Sequence, residues 1–331
     1  MRRGERAVVP PAEFRSYYGR PILKEPAWKV PDVPLYLFLG GMAGSSASLA
    51  ALADLTGRRG LARAGHLTAA GGALVSVGAL IHDLGRPERF LNMLRVIKPT
   101  SPLSVGSWIL APFSALSTAT ALAPLARRLP RLAPLAGLGR ITGPVAGVLG
   151  PAMCTYTAVL LADTAVPAWH EAHRQLPYLF AGSAMASGAG AALLAAPPAE
   201  QGPARRLAVL GAGLELATAT RLERGLGLVG EPYRQGRPGR LLRVARVLTA
   251  VGGGLAALGG RSRLASALGG AALLAAGLCL RFGVFEAGVV STRDPKYVVV
   301  PQRERLRAGD AARTTTDASG TARQGNTPGR R

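Results

Sequence analysis

The stretch that decides the fold is GHLTAAGGALVSVGALIHDLGRPERFLNML, residues 65–94. Its apolar part, 65–82, carries no acidic or strongly basic residue, and it ends abruptly in Asp83 and Arg86. Crossing the hydrocarbon of a bilayer takes about 20 predominantly apolar residues, so this run predicts a transmembrane helix. Comparable runs occupy 35–53, 103–126, 141–162, 178–196 and 264–280, and two weaker ones occupy about 207–220 and about 247–260.

The whole chain has the composition of a membrane protein. Of its 331 residues, 48% are hydrophobic and 18% charged, and 43 are glycines, which suit close helix packing in lipid. The runs lack the strict alternation of barrel strands, and backbone groups in lipid must be satisfied internally. We therefore predict an all-α integral membrane protein, a bundle of about eight transmembrane helices, with six as the minimum count.

Three regions follow from this pattern. Residues 1–34 form a charged, proline-containing tail without the apolar core of a signal peptide, so the first helix is expected to direct insertion. Residues 35–285 form the bundle. Residues 286–331 are mostly polar, and we expect this tail to be largely disordered.

The arginines that give the formal net charge of +22 are spread through every loop, which argues against a nucleic-acid-binding surface. Their distribution is more informative about membrane topology. With eight helices, one side of the membrane carries both tails and 28 Lys or Arg residues, whereas the other carries 11. Both termini are therefore predicted to be cytoplasmic, with most of the bias coming from the tails. No nucleic-acid partner is expected.

The chain offers few ligands for a redox metal. Cys154 and Cys279 lie singly in apolar runs, which is typical of packing cysteines and not of an iron-sulfur site. The histidines lie at helix ends or in a loop, and HEAH, 170–173, is one residue too short for the zinc motif HExxH. We expect no haem, iron-sulfur cluster or metal of its own.

The sequence HDLGRP, 82–87, is a helix terminator, in which Gly85 can adopt the left-handed conformation and Pro87 prevents continuation. Termination does not explain Asp83, because a carboxylate at a helix C-terminus faces the negative end of the dipole. Two roles stay open for it: an ion pair with Arg86 and a protonatable group in a ligand pocket. Both can hold at once.

The chain resembles the NrfD-like membrane subunits of polysulfide reductase and related molybdopterin oxidoreductases. The resemblance covers the first half of the chain and is mainly hydropathy beyond Leu193. Four stretches carry it: VPLYLFLGGMAGSSA (33–47), HDLGRPERFLNML (82–94), SPLSVGSWIL (101–110) and GPAMCTYTAVLLADTAVPAWHEA (150–172).

This resemblance implies a subunit of the bacterial plasma membrane that binds menaquinone or ubiquinone. It also implies two partners, an iron-sulfur subunit of the 4Fe-4S ferredoxin type and a molybdopterin catalytic subunit. The chain would then pass electrons between the partner's cluster and the quinone pool.

The resemblance also points to a quinone site. Tyr156 lies where the family's fourth helix places a tyrosine that can donate to a quinone carbonyl, although a packing role is the alternative. Where some relatives supply a first-helix histidine or asparagine, this chain has serines, so the second partner of the quinone is open among Ser45, Ser46, His82 and His170.

Three charged residues complete the predicted polar and proton network: Asp83 and Arg86 at the pocket rim, and Glu215 within the sixth run. An ionisable residue inside a membrane helix is costly and commonly functional, which favours a proton path or an internal pair for Glu215. An interfacial helix with Glu215 among the lipid headgroups is the alternative.

Two other classes of protein compete with a quinone-reactive subunit. A multi-helix transporter also carries polar residues and glycine-rich segments in its helices, but the two halves of this chain show no convincing repeat. A purely structural anchor would have no quinone site. Extraction of quinone from the purified protein distinguishes the anchor from the first class.

Overall fold

The structure is a computed structural model that describes residues 22–86, 88–126, 137–260 and 262–306. Residues 1–21 of the N-terminal tail and 307–331 of the C-terminal tail, about which the sequence makes predictions, lie outside the described residues. The described residues contain no β-strand. Their eight long helices are α1 (Asp32–Leu55), α2 (Arg59–Asp83), α3 (Pro102–Ala126), α4 (Gly139–Ala162), α5 (Leu176–Ala195), α6 (Gly202–Gly225), α7 (Gly236–Leu258) and α8 (Arg263–Arg293).

Seven of these helices, all but α6, are long and apolar enough to cross a membrane, which confirms the predicted helical bundle. Helix α6 has the same length as α1, 24 residues, but Arg205 and Arg206 near its start and Glu215 in its middle lower its hydropathy. It packs between α5 and α7 and so completes an eight-helix arrangement. The prediction of about eight helices therefore holds.

Successive helices run in opposite directions, so the ends of the helices form two faces. The tail face carries the start of α1 and the end of α8, together with the segments 84–86, 88–101, 163–175 and 226–235. The opposite face carries the turns at 56–58 and 196–201. The described ends of the chain therefore lie on the same face.

Helix α1 is the central element of the bundle. It packs against α2, α4, α5 and α8, and small residues allow the close approach. At the crossing with α4, a Cβ added to Gly44 would lie 2.7 Å from the Cβ of Met153. A Cβ added to Gly190 of α5 would likewise lie 2.8 Å from the carbonyl oxygen of Gly270 in α8. Small residues at helix contacts are the usual means of packing in lipid, where no hydrophobic effect drives helices together.

An aromatic cluster holds the N-terminal segment, residues 22–31, against the tail face. The ring of Trp28 stacks on Trp169 of the short helix Pro167–Glu171, with centroids 5.7 Å apart. Trp169 is fully buried and donates from Nε1 to the carbonyl oxygen of Val284 at 2.8 Å. Gly288 of α8 leaves room for its indole, because a Cβ there would overlap the ring. This cluster fixes the chain entering α1.

The C-terminal boundary differs from the sequence prediction. Helix α8 has 31 residues and continues past position 285 to Arg293, and residues 296–306 form a further helical segment. Residues 286–293 and 296–306 are thus helical, where the sequence predicted the start of a largely disordered tail. Lys296 holds this segment to the tail face through Glu231, at 2.8 Å.

Candidate functional site

The polar centre nearest to the predicted quinone site is a pair of tyrosines. Tyr156 of α4 and Tyr36 of α1 share a hydrogen bond between their hydroxyl groups, and their rings meet edge to face with centroids 6.4 Å apart. Both residues are buried, at 7% and 4% exposure. Gly106 of α3 makes room for the Tyr156 ring, since a Cβ there would lie 2.7 Å from the ring's Cε2 atom. The sequence analysis did not single out Tyr36.

Tyr156 also borders a cavity of about 450 Å³ near the tail face, between the start of α3 and the end of α4. Its walls are largely apolar, and its polar groups come from Thr100, Thr155, Tyr156 and Asp163. Ligand sites are typically clefts of this size and character, with a few placed polar groups. The cavity can therefore accept the ring of a lipophilic molecule beside the Tyr156 phenol.

The end of α2 is tied to the segment before α1 on the same face. Nδ1 of His82 lies at hydrogen-bond distance, 2.7 Å, from Oδ2 of Asp32, and the Lys29 amide donates to Oδ1 of Asp83 at 2.8 Å. The ammonium group of Lys29 donates to the carbonyl oxygen of His82 at 3.3 Å. Gly85 has φ = 69°, which confirms the predicted left-handed residue after the helix.

Asp83 thus has a different partner from the one that its sequence spacing favours. Arg86 is exposed, and in the described part of the chain no ion pair joins it to Asp83. The nearby Lys29 ammonium and the Lys29 amide offset the unfavourable position of the carboxylate at the helix C-terminus. A partner 54 positions away cannot be found from local spacing.

The remaining predicted quinone ligands do not line the Tyr156 cavity. Ser45 borders a separate cavity of about 400 Å³ that is also lined by Cys154 and Met185. The hydroxyl groups of Ser45 and Ser46 are buried without a hydrogen-bond partner among the described residues. His170 is exposed on the tail face, with Nδ1 3.2 Å from the carbonyl oxygen of Ala162.

A second polar centre lies deep in the other half of the bundle, around Glu215 and Arg281. Glu215 is 2% exposed and accepts a hydrogen bond from Thr249 of α7 at 2.5 Å. Arg281 of α8 is 1% exposed, donates to the carbonyl oxygen of Phe180 at 3.0 Å, and lies 3.6 Å above the Phe180 ring. Glu215 is therefore packed inside the bundle and is not exposed on its surface.

The two charges compensate each other without direct contact. No ion pair within 4.0 Å joins them in the described residues, and Oε2 of Glu215 and two nitrogens of Arg281 have no partner there. Arg281 was not predicted as a site residue, because it directly follows the apolar run 264–280 and looks like the charged end of that run. The continuation of α8 to Arg293 places Arg281 inside the helix.

A third polar group joins the loops of the tail face outside the membrane-spanning helices. Lys296 donates to Glu231 at 2.8 Å, and the hydroxyl of Tyr297 donates to the same carboxylate at 3.1 Å. The hydrogen bond from Lys296 lowers the pKa of Glu231 below its usual value. Tyr233 donates to the carbonyl oxygen of Ala168 at 2.9 Å, and burial raises the pKa of its phenol.

Among residues 22–86, 88–126, 137–260 and 262–306, no group of three or more His, Cys, Asp or Glu side chains is placed to hold a metal ion. Cys154 is buried and Cys279 is partly buried, each as a free thiol.

The helices define a class, a multi-pass membrane protein, and a largely apolar cavity bordered by Tyr156 lies near one face of its bundle. A family model described as "Polysulphide reductase, NrfD" matches residues 24–208, more than half of the chain. The chain therefore belongs to the NrfD family, as its motifs predicted. No curated protein matches the sequence.

Proposed function

We propose that this chain is the quinone-binding membrane subunit of an oxidoreductase complex in the bacterial plasma membrane. It exchanges electrons between an iron-sulfur cluster of a partner and the quinone pool, which is menaquinone or ubiquinone. Membership of the NrfD family supports the oxidoreductase class. The observation that carries the site is the Tyr36–Tyr156 pair beside the apolar cavity.

The hydroxyl chemistry of the pair fits a quinone carbonyl. Each phenol has one hydrogen to donate, and their mutual hydrogen bond uses only one of the two. When Tyr36 donates to Tyr156, the hydrogen of Tyr156 is free to be donated to a ligand. A quinone carbonyl needs such a donor, and its ring fits among the apolar walls.

The proposed partners are a 4Fe-4S ferredoxin-type subunit and, through it, a molybdopterin catalytic subunit. We place the iron-sulfur subunit on the tail face, since the Tyr156 cavity lies near that face and electron transfer requires proximity. The charge distribution supports a cytoplasmic location for both termini, and hence for this face.

The polar centre of Glu215 and Arg281 supports a role in proton storage that accompanies quinone turnover. Glu215 has one carboxylate oxygen without a described partner, and Arg281 supplies a compensating positive charge. Asp83 and Arg86 belong to the rim of the tail face in this proposal, with Asp83 positioned by Lys29.

The test is a quinone titration of the purified complex with Tyr156→Phe. A net hydrogen bond contributes about 0.5 to 1.5 kcal/mol, so affinity should fall roughly three- to tenfold while the folded amount is unchanged. Tyr178→Phe is the matched control, because Tyr178 is 63% exposed on α5. Electron transfer between the two partner subunits should not change. Wild-type quinone affinity in Tyr156→Phe would place the site elsewhere.

A further inference from the structure

Four polar side chains form a line from the tail face to the Tyr156 cavity. His82 is at the outer end with a side chain 76% exposed, and its Nδ1 lies 2.7 Å from Asp32, which is 14% exposed. Tyr36 follows on the same helix as Asp32, and its hydroxyl bonds to that of Tyr156 at the cavity. Exposure thus falls from His82 through Asp32 to the two buried tyrosines, and all four groups can donate or accept a proton.

One step in this line is not a direct contact. Asp32 and Tyr36 are four residues apart on α1, so their side chains lie on the same face of the helix, with about 5 to 6 Å between β-carbons. Side chains of a helix lean toward its N-terminus, which directs the Tyr36 ring toward the turn that holds Asp32. In the relay proposed below, water bridges the carboxylate of Asp32 and the hydroxyl of Tyr36.

We propose that Asp32 and His82 are the proton entry of the quinone site, with Tyr36 as the relay to Tyr156. This inference rests on the proposed function. Reduction of a quinone to the quinol takes two electrons, from the partner's iron-sulfur cluster, and two protons. One proton passes from Tyr156 to the quinone oxygen that it contacts, and Tyr156 regains a proton from Tyr36. The oxygen at the other end of the quinone ring takes the second proton from water in the open cavity. Tyr36 is reprotonated through Asp32 and His82 from water, so the protein is unchanged, and quinol oxidation reverses each step.

Hydrogen bonds from Lys29 fix the position of His82 and hence of the proposed proton entry. The Lys29 ammonium contacts the His82 carbonyl at 3.3 Å, and the Lys29 amide binds Asp83. Asp32 and Lys29 are the charged residues that hydrogen-bond to His82 in the described part of the chain, and Asp83 is held by the same Lys29. Asp32 and His82 are positioned to transfer protons without touching the quinone, since neither lines the cavity.

The chain contains a matched control for this pair. On the opposite face, Nε2 of His66 lies 2.7 Å from Oδ2 of Asp54, the same pairing at the same distance. That pair borders a different cavity, of about 700 Å³, to which Tyr156 does not contribute. A variant of the His66–Asp54 pair therefore shows the effect of losing any histidine–aspartate pair, and a variant of the His82–Asp32 pair shows in addition the effect of losing the relay.

The experiment compares Asp32→Asn and Asp32→Ala with Asp54→Asn in the purified complex with its partner subunits. We expect quinol-linked turnover to fall about tenfold or more in both Asp32 variants, with the folded amount and the quinone affinity within about twofold of wild type. Acetate, a small weak acid, should restore turnover in Asp32→Ala, and Asp54→Asn should behave as wild type. Substituting His82→Gln should lower turnover mainly at low buffer concentration, where proton supply limits the rate.

Three results would overturn the relay: wild-type turnover in Asp32→Asn, a loss in Asp32→Ala that acetate does not restore, or an equal loss in Asp54→Asn. The failure of the proposed function looks different. In that case Tyr156→Phe keeps wild-type quinone affinity, whereas a failure of the relay alone leaves Tyr156→Phe impaired and Asp32→Asn active.

Discussion

The buried charges of Glu215 and Arg281 give the sharpest test of the interior of the bundle. Arg281→Met keeps an unbranched apolar stem similar to that of arginine but removes the guanidinium, which leaves Glu215 without its compensating charge. Removing one partner of a buried pair costs about 3 to 5 kcal/mol. Because the two groups form no ion pair within 4.0 Å in the described residues, we expect the lower end, about 3 kcal/mol for Arg281→Met.

A double-mutant cycle isolates the coupling. Glu215→Gln keeps an acceptor for Thr249 but leaves the guanidinium of Arg281 uncompensated, so this variant should also be destabilised. The loss of unfolding free energy in the double variant should be smaller than the sum of the losses in the two single variants, because neither charge is left without its partner.

The assay is the free energy of unfolding in detergent as sodium dodecyl sulfate is added. Arg205→Met is a suitable control, since Arg205 donates to Ser266 from a partly buried position nearer the end of the bundle. Strictly additive losses in the cycle would refute electrostatic compensation between Glu215 and Arg281.

Three further predictions address the site, the loops and the topology. Gly106→Val should displace the Tyr156 ring, whose Cε2 atom would lie 2.7 Å from the new Cβ, and should weaken quinone binding more than Tyr156→Phe does; equal affinity to wild type in a titration would contradict this packing. The lowered pKa of Glu231 contributes stability that is fully present above the ordinary value of 4.5 and is lost as the pH falls through the lowered pKa. Amide-hydrogen protection of residues 296–306 should therefore exceed that of Lys296→Met at neutral pH and should approach it as the pH falls below 4.5. Reporter fusions at the two termini should give the same sidedness, and opposite signals would refute an even number of crossings.

The sequence by itself determined the class of fold and the places where its helices lie. Hydropathy is a local property, and a helix in lipid satisfies its own backbone, so a run such as 65–82 predicts a span without knowledge of its neighbours. The stop at Gly85 is local for the same reason, since it depends on the backbone of a few consecutive residues.

Only the tertiary structure decided which polar groups meet. Tyr36 and Tyr156 are 120 positions apart, and Ser45 is separated from Tyr156 by its orientation around α1, which depends on how the helices pack. The position at which α8 ends also depends on tertiary contacts. Arg281 continues a membrane helix because Phe180 and the charge of Glu215 compensate it, and neither partner is close to it in the sequence.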